Sequence, residues 1–371
     1  MPKNQDPIYE LKAKLTRLVF QLRTNTIPYN ADIGLPQSSN EDCILFNNKI
    51  AKRKRIVLLT NGCRVATCTM CPLPNEGINS PSVTKAENII NQFESAFKND
   101  DMDNYDLITI YNNGNFFSNA EILPQARKYI YQKISKSKCS ALLVESLPHF
   151  INEQNIKEAN AYLKNKTLAV SIGLQSSNDI IRELAINSTC NKISFEQAVK
   201  ILKKYSYLVI PFLIIKAPFL TEQEAIEDVI ASIKYLSSLN INDLVLCPTR
   251  IAPNTLLEVL YKKKLFSAPW LWSIIEILKQ NSQINKSSQP RIAISELDIN
   301  KNPKSICAYN CSKCSTKIIN KINQFNTNRD LSLFENIRCG CYETYKKCLN
   351  KENDVFTDTP LKRIITFLEQ I

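Results

Sequence analysis

Residues 59–71 read LTNGCRVATCTMC. Cys63, Cys68 and Cys71 are separated by four and then two residues, and they follow directly on an apolar run, Ile56, Val57, Leu58 and Leu59. Three thiolates on one loop can face one point, which a zinc or iron–sulfur centre uses and a disulfide framework does not need. Their number matters as much as their spacing. A structural zinc fills four positions, whereas a site one ligand short leaves a metal position open for chemistry.

Around this loop the chain alternates. Apolar runs at 55–61, 106–111, 141–145, 168–174, 209–215 and 243–247 are separated by amphipathic segments at 84–98, 119–135, 150–164, 178–186 with 193–205, and 221–239. Thr84, Ser118, Ser194 and Thr221 stand where N-caps belong. Strands separated by helices call for a parallel sheet with right-handed crossovers. In such folds the active site gathers at the C-terminal ends of the strands, and the cysteine loop begins where the first run ends. The expected fold class is therefore α/β, a partial (β/α)6 barrel of TIM type with a small cysteine-rich C-terminal metal module. Residues 1–50 form an N-terminal helical extension, with a helix at 8–24 and loop over 25–50. Residues 51–300 form the core, with helices at 253–264 and 269–281 and an isolated strand at 291–296 that extends the sheet. Residues 301–371 form the C-terminal module and a last helix at 361–371.

Lys and Arg exceed Asp and Glu by 47 − 35 = 12. That excess suits a polyanionic partner such as RNA and equally suits a lysine-rich solvated surface, since the charges are spread out. Thirteen cysteines stand against one histidine, His149. The opening residues, MPKNQDPIYE, lack the apolar core of a signal peptide, and no run approaches the ~18 apolar residues of a membrane span. A cytoplasmic location without membrane attachment follows as an expectation. Clustered cysteines in a reduced compartment point to metal, and a single histidine nearly excludes histidine acid–base catalysis. His149 itself reads as structural, and Trp270 and Trp272 as core.

A second cluster lies near the C-terminus. Cys311 and Cys314, then Cys339 and Cys341, form two close pairs, with Cys307 and Cys348 nearby as possible substitutes. Four thiolates in two knuckles suit tetrahedral zinc, which would fold the segment around itself. A second iron–sulfur cluster is the alternative, because spacing alone does not separate the two. Lys313, Lys317, Lys321, Arg329 and Arg338 surround the pairs, either as a surface for a phosphate backbone or as an ordinary solvated face.

The segments TNGCRVATCTMCPLP, LITIYNNGNFFSNAEILPQAR, VESLPHFI, SIGLQSSNDIIRELAINSTC, IIKAPFLTEQEAIEDVIASIKY, CPTRIAPNTLLEVLYKKKLFSAPWLWSIIEIL, NCSKC and CGC follow one another from about 55 to 348. Together they resemble the radical S-adenosylmethionine (SAM) superfamily and, within it, the radical SAM (beta) subunit of archaeosine synthase and its uncharacterised relatives. The superfamily's usual C-x3-C-x2-C is here C-x4-C-x2-C. The resemblance implies a [4Fe–4S] cluster on Cys63, Cys68 and Cys71, with SAM at the fourth iron and hydrogen abstraction from a substrate. It puts Met70 against the cofactor and the adenine, and Asn112, Asn113, Gly114 and Asn115 at the SAM amino group, without the acidic residue usual there. Glu145, Gln175 and Lys216, at strand ends, would meet the ribose hydroxyls and the SAM carboxylate. The implied substrate is a modified tRNA base carrying a lysine adduct. The implied partners are a lysine-transferring subunit and an electron donor such as ferredoxin or flavodoxin. Radical chemistry on a small molecule or peptide, and a non-catalytic thiolate–metal protein binding nucleic acid, are the other readings.

Overall fold

The computed structural model describes residues 7–23, 33–78, 82–285, 288–297, 304–355 and 357–371. The expected boundary at 300/301, residue 24 of the first helix and residues 25–32 of the expected loop lie outside them. Eight strands form one sheet in sequence order: β1 (Ser38–Phe46), β2 (Lys49–Val57), β3 (Leu107–Tyr111), β4 (Ala141–Ser146), β5 (Thr167–Gln175), β6 (Leu208–Ile215), β7 (Asp243–Pro248) and β8 (Gln289–Ile292). All six expected strands are present, and β2 to β8 are parallel. The helices between them are α2 (Ala86–Ser95), α3 (Pro124–Lys136), α4 (Glu153–Tyr162), α5 (Lys192–Lys204), α6 (Glu222–Ser238), α7 (Leu256–Lys262) and α8 (Leu271–Ile284). They follow α1 (Pro7–Leu22) and precede α9 (Ser315–Asn328), α10 (Cys341–Val355) and α11 (Pro360–Glu369).

Side chains alternate across the sheet, as the two-residue period of a strand requires. One face packs under the helices: Ile56, Ile110, Val144, Val170, Ile172 and Leu246 share a core with Phe93, Phe116 and Phe195. The other face is concave, and its lower end is filled by Leu107, Leu143, Ala169 and Ile210 against Ile44 and Phe46 of β1. Burying a side chain such as Phe46 there contributes about 1.5–3 kcal/mol.

The expected loop over 25–50 is corrected by β1, which pairs antiparallel with β2 along its whole length. Its first residues, Ser38 to Asp42, are polar and largely exposed, so they carry no apolar alternation. The turn that sets the pairing is Asn47–Asn48, both left-handed (φ 48° and 60°), as a two-residue hairpin of the favoured twist requires. Thr221 caps α6 in a capping box with Glu224. The N-cap of α5 is Asn191, with Ser194 as its reciprocal partner inside the helix. Thr84 instead bonds Asn61, and α3 starts at Pro124, well after Ser118. Ala308, Cys314, Ile318, Ile322, Phe325 and Tyr345 join the core under the sheet, so the C-terminal segment packs on the barrel through α8 and α9. Among the described residues no helix is long and apolar enough to cross a membrane.

Candidate functional site

The cysteine loop leaves the end of β2 and is irregular, so its shape is set by what surrounds it. Gly62 turns the chain at φ 67°, where a Cβ would stand 2.9 Å from the Leu73 carbonyl oxygen. Thr69 donates from its amide to the Ile186 carbonyl (2.9 Å) and from its hydroxyl to that of Ala185 (2.6 Å). Asn187 donates to the Thr67 carbonyl (2.9 Å), and the Leu256 amide donates to that of Thr69 (2.9 Å). The acceptor Ala185 ends a π-helical turn after β5, Ile181–Ala185, and Ile186 caps it, an irregularity common at functional sites. Arg23, at the end of α1, reaches the loop and donates to the carbonyls of Cys68 (3.0 Å) and Cys71 (3.2 Å). Met70 is buried among Leu15, Leu184, Leu256 and Phe367, so α1 and α11 roof the loop.

The three thiols are poor acids here. Burial, then the charge of Glu121, pushes Cys63 up to about 11, and burial raises Cys68 and Cys71 as well. Such thiols become thiolates when a cation takes them. Two amides already face the sulfurs: Asn115 Nδ2 is 3.6 Å from Cys63 Sγ, and Gln175 Nε2 is 3.9 Å from Cys68 Sγ. The side-chain oxygens Gln175 Oε1 and Asn112 Oδ1 and the Thr67 hydroxyl are buried without a hydrogen-bond partner. Buried orphan acceptors of this kind are costly unless a ligand supplies donors. Three thiols short of a fourth, beside acceptors awaiting donors, fit a [4Fe–4S] cluster whose open position takes a donor-bearing ligand such as SAM.

Glu121 escaped sequence reading. It is fully buried and accepts from Asn112 Nδ2 (3.0 Å), Asn115 Nδ2 (2.8 Å), the Asn115 amide and the Arg64 amide (3.1 Å). One carboxylate thus ties the cysteine loop to the segment after β3. A Cβ on Gly114 would stand 2.0 Å from Glu121 Oε2 and 3.1 Å from Cys63 Cα, so only glycine permits this approach. Asn113 is left-handed (φ 54°) and bonds Gln37 (2.8 Å). Glu145 ends β4 facing the concave side and accepts from the Asn112 amide (3.2 Å). Burial drives its carboxyl up to about 7.

Gln175 ends β5 in a left-handed conformation (φ 71°), as does Lys216 after β6 (φ 62°). Lys216 does not stand with the others. Its ammonium is buried between Glu222 (2.6 Å) and Glu352 (3.3 Å) and also meets Ser267 (3.1 Å). Burial opposes that charge, and the two carboxylates hold it above its ordinary value. Contacts thus join Gly114 and Asn115 to Cys63 and Gln175 to Cys68, with Met70 in the roof and Glu145 held to the Asn112 amide, while Asn113 turns to Gln37 and Lys216 joins α6 to α10.

At the other end of the chain Cys311, Cys314, Cys339 and Cys341 converge, their sulfurs all within 4.8 Å of one another. Neighbouring sulfurs lie 3.5, 3.5 and 3.6 Å apart. Four sulfurs about 2.3 Å from one ion would stand about 3.8 Å apart, so a single tetrahedral ion fits. One pair opens α9 and the other opens α10, where helix N-termini favour thiolates. The Ser315 hydroxyl accepts from the amides of Asn310 (3.0 Å) and Cys311 (3.1 Å), and Trp272 Nε1 points at Cys341 Sγ (3.4 Å). Trp272 is buried in the core as expected and Trp270 is half-buried against it, while His149 is exposed, its ring tilted against Phe150 at 4.1 Å. Of the surrounding basic residues Lys313, Lys317 and Arg338 are exposed. Lys321 and Arg329 are engaged with backbone carbonyls.

An uncharacterized protein of Methanocaldococcus jannaschii is 31% identical over 322 residues, covering 84% of this chain and 86% of its own length. The archaeosine synthase subunit beta of Methanosarcina acetivorans is 29% identical over 355 residues, 94% of this chain and 99% of that one. The radical S-adenosylmethionine methyltransferase TsrM of Kitasatospora setae overlays on 56% of this chain and 38% of its own at 15% identity, with a TM-score of 0.41. No family model matches the chain. A half-barrel with a three-cysteine loop after its first parallel strand, in a chain similar along its length to an archaeosine synthase subunit, is that of an enzyme. The chain belongs to the family of the Methanocaldococcus jannaschii protein and is similar along nearly its whole length to the archaeosine synthase subunit beta.

Proposed function

We propose that Cys63, Cys68 and Cys71 hold a [4Fe–4S] cluster, that SAM binds beside it, and that the substrate is a modified base of tRNA. The observation that carries the cluster is the incomplete thiol set facing buried, unpartnered acceptors. Cluster and SAM together would supply reductive cleavage and hydrogen abstraction. In this reading Asn115 and Gln175 direct amide hydrogens at the sulfurs, and Arg23 offsets their charge. Glu121 fixes the segment Asn112–Asn115, and Gly114 leaves room for its carboxylate and for the close approach of the cysteine loop. Glu145 and Gln175 offer acceptors to ribose hydroxyls, and Met70 backs the adenine. Lys216 serves the SAM carboxylate only if Glu222 and Glu352 release it.

The substrate reading rests on the relatives' names and on the exposed Lys313, Lys317 and Arg338, which suit a phosphate backbone. Being named subunits, the relatives also support a lysine-transferring partner. The C-terminal ion is zinc, the reductant a ferredoxin or flavodoxin, and the setting cytoplasmic. The test is nucleoside mass spectrometry of tRNA from a strain lacking the gene, before and after treatment with anaerobically reconstituted enzyme, SAM and reductant. Conversion of one tRNA nucleoside is expected. No changed nucleoside, together with no salt-sensitive tRNA affinity, would overturn the RNA reading.

A further inference from the structure

The concave wall below the cysteine loop carries more positive charge than its partners satisfy. Arg53, Arg55 and Arg291 all face it, since their neighbours Ile56 and Ile292 lie in the helix-side core and Ala51 in the concave one. Arg53 is met bidentately by Asp42 across the β1–β2 pair. Arg55 has no ion pair among the described residues, and its Nε is buried without a hydrogen bond. Arg291, on the opposite edge strand, is 7% exposed. Its Nε and Nη2 have no hydrogen-bond partner, and the nearest carboxylate oxygen, on Asp243, is 3.6 Å from Nε. Asp243 is itself shared with Arg329 below. Beside β2, at the end of β3, stands Tyr111, whose hydroxyl feels Arg53, Arg55 and Arg291 as well as Glu145. Tyr111, Glu145, Phe212 and Cys247 are all half-buried, so solvent reaches this wall. The Thr109 hydroxyl, also facing inward, is buried and unpartnered.

A buried guanidinium without an acceptor is costly, and paired guanidinium groups match the planar oxygens of carboxylates and phosphates. We infer that Arg55 and Arg291 form an oxyanion site on the floor of the substrate pocket, taking a carboxylate or phosphate carried by the substrate. This rests on the reading that the mouth above it is where the substrate reacts. Thr109 and Tyr111 offer hydroxyl donors to the same group.

The test is titration of the reconstituted full-length enzyme with sodium acetate and, separately, with inorganic phosphate, at constant ionic strength set by chloride. Melting temperature is the readout. The site predicts a saturable rise with at least one oxyanion, weakened at least tenfold in Arg55→Gln and in Arg291→Gln and absent in the double variant. Arg291→Lys, which keeps the charge, should recover part of the response if Arg291→Gln folds poorly. A response to acetate alone assigns the group as a carboxylate, and one to phosphate alone as a phosphate. No saturable response in the wild type, or an equal one in the double variant, overturns the site. If tRNA binding fails while the oxyanion response holds, the RNA reading falls and the site stands. If tRNA binds without any oxyanion response, the site alone falls.

Discussion

At 63–71 three thiols ride on an irregular loop whose shape comes from elsewhere: Glu121, the π-helical turn, the start of α7 and Arg23 of α1. At 311–341 four thiols open two helices, and their sulfurs touch one another at about van der Waals distance, 3.5–3.6 Å. The first set is shaped by backbone and side chains from distant elements, whereas the second is carried by two helix starts. The proposed function assigns open chemistry to the first set and structural closure to the second, a difference testable by damaging each in turn.

The largest effect on activity should come from Cys63→Ala. SAM cleavage should vanish, with about four irons lost per chain and the C-terminal ion kept, while melting temperature changes little; 5′-deoxyadenosine assays, metal analysis and calorimetry check all of this. Cys314→Ala, or a strong chelator, should act the other way round. Loss of a structural ion is worth on the order of 10 kcal/mol to the folding of its module, so protease should cut the C-terminal segment first while iron at the first site survives. An unchanged digestion pattern would remove the distinction.

Glu121→Ala sharpens the comparison, because it strikes the scaffold and leaves the ligands. It strands the donors of Asn112, Asn115 and Arg64, at about 1–3 kcal/mol for each group left unsatisfied. Iron retention should fall about 10–100-fold, as for other residues that orient metal ligands, with zinc retention unaltered. The smallest effect is a pH dependence. Asp228 of α6 accepts from the Ser176 hydroxyl (2.6 Å) just beyond Gln175, and burial raises its carboxyl to about 7. A carboxyl raised on folding holds its proton more tightly in the folded state. Stability should therefore be greatest below the unfolded value near 4 and should fall as pH rises to about 7, by at most ~4 kcal/mol. Asp228→Asn should flatten this fall between pH 5 and pH 8 in denaturant titrations.

The six parallel strands and the position of the cysteine loop were legible because apolar runs and crossover helices repeat with a clear period. β1 was not, since Ser38 to Asp42 are polar edge residues and the pairing is specified by Asn47–Asn48. The helix α9 had its signal, with Ile318, Ile322 and Phe325 at helical spacing, but the cysteines drew the reading to metal. Glu121 sits seven residues beyond Gly114, inside the amphipathic segment expected over 119–135 but ahead of the helix that starts at Pro124, and Arg23 stands 45 residues before Cys68. Neither link is local, so neither could be read along the chain. Lys216 shows the converse: its place at a strand end was read correctly, while its partners, Glu222 and Glu352, were supplied by the fold.

In the proposed function the three-thiol loop, and not the four-thiol knot, is the redox-active metal site. Anaerobic reconstitution with iron and sulfide, followed by SAM and dithionite, tests it most directly in the wild type beside Cys63→Ala and Cys314→Ala. The account predicts 5′-deoxyadenosine from the wild type and from whatever Cys314→Ala protein stays folded, and none from Cys63→Ala. Undiminished 5′-deoxyadenosine from Cys63→Ala would contradict it.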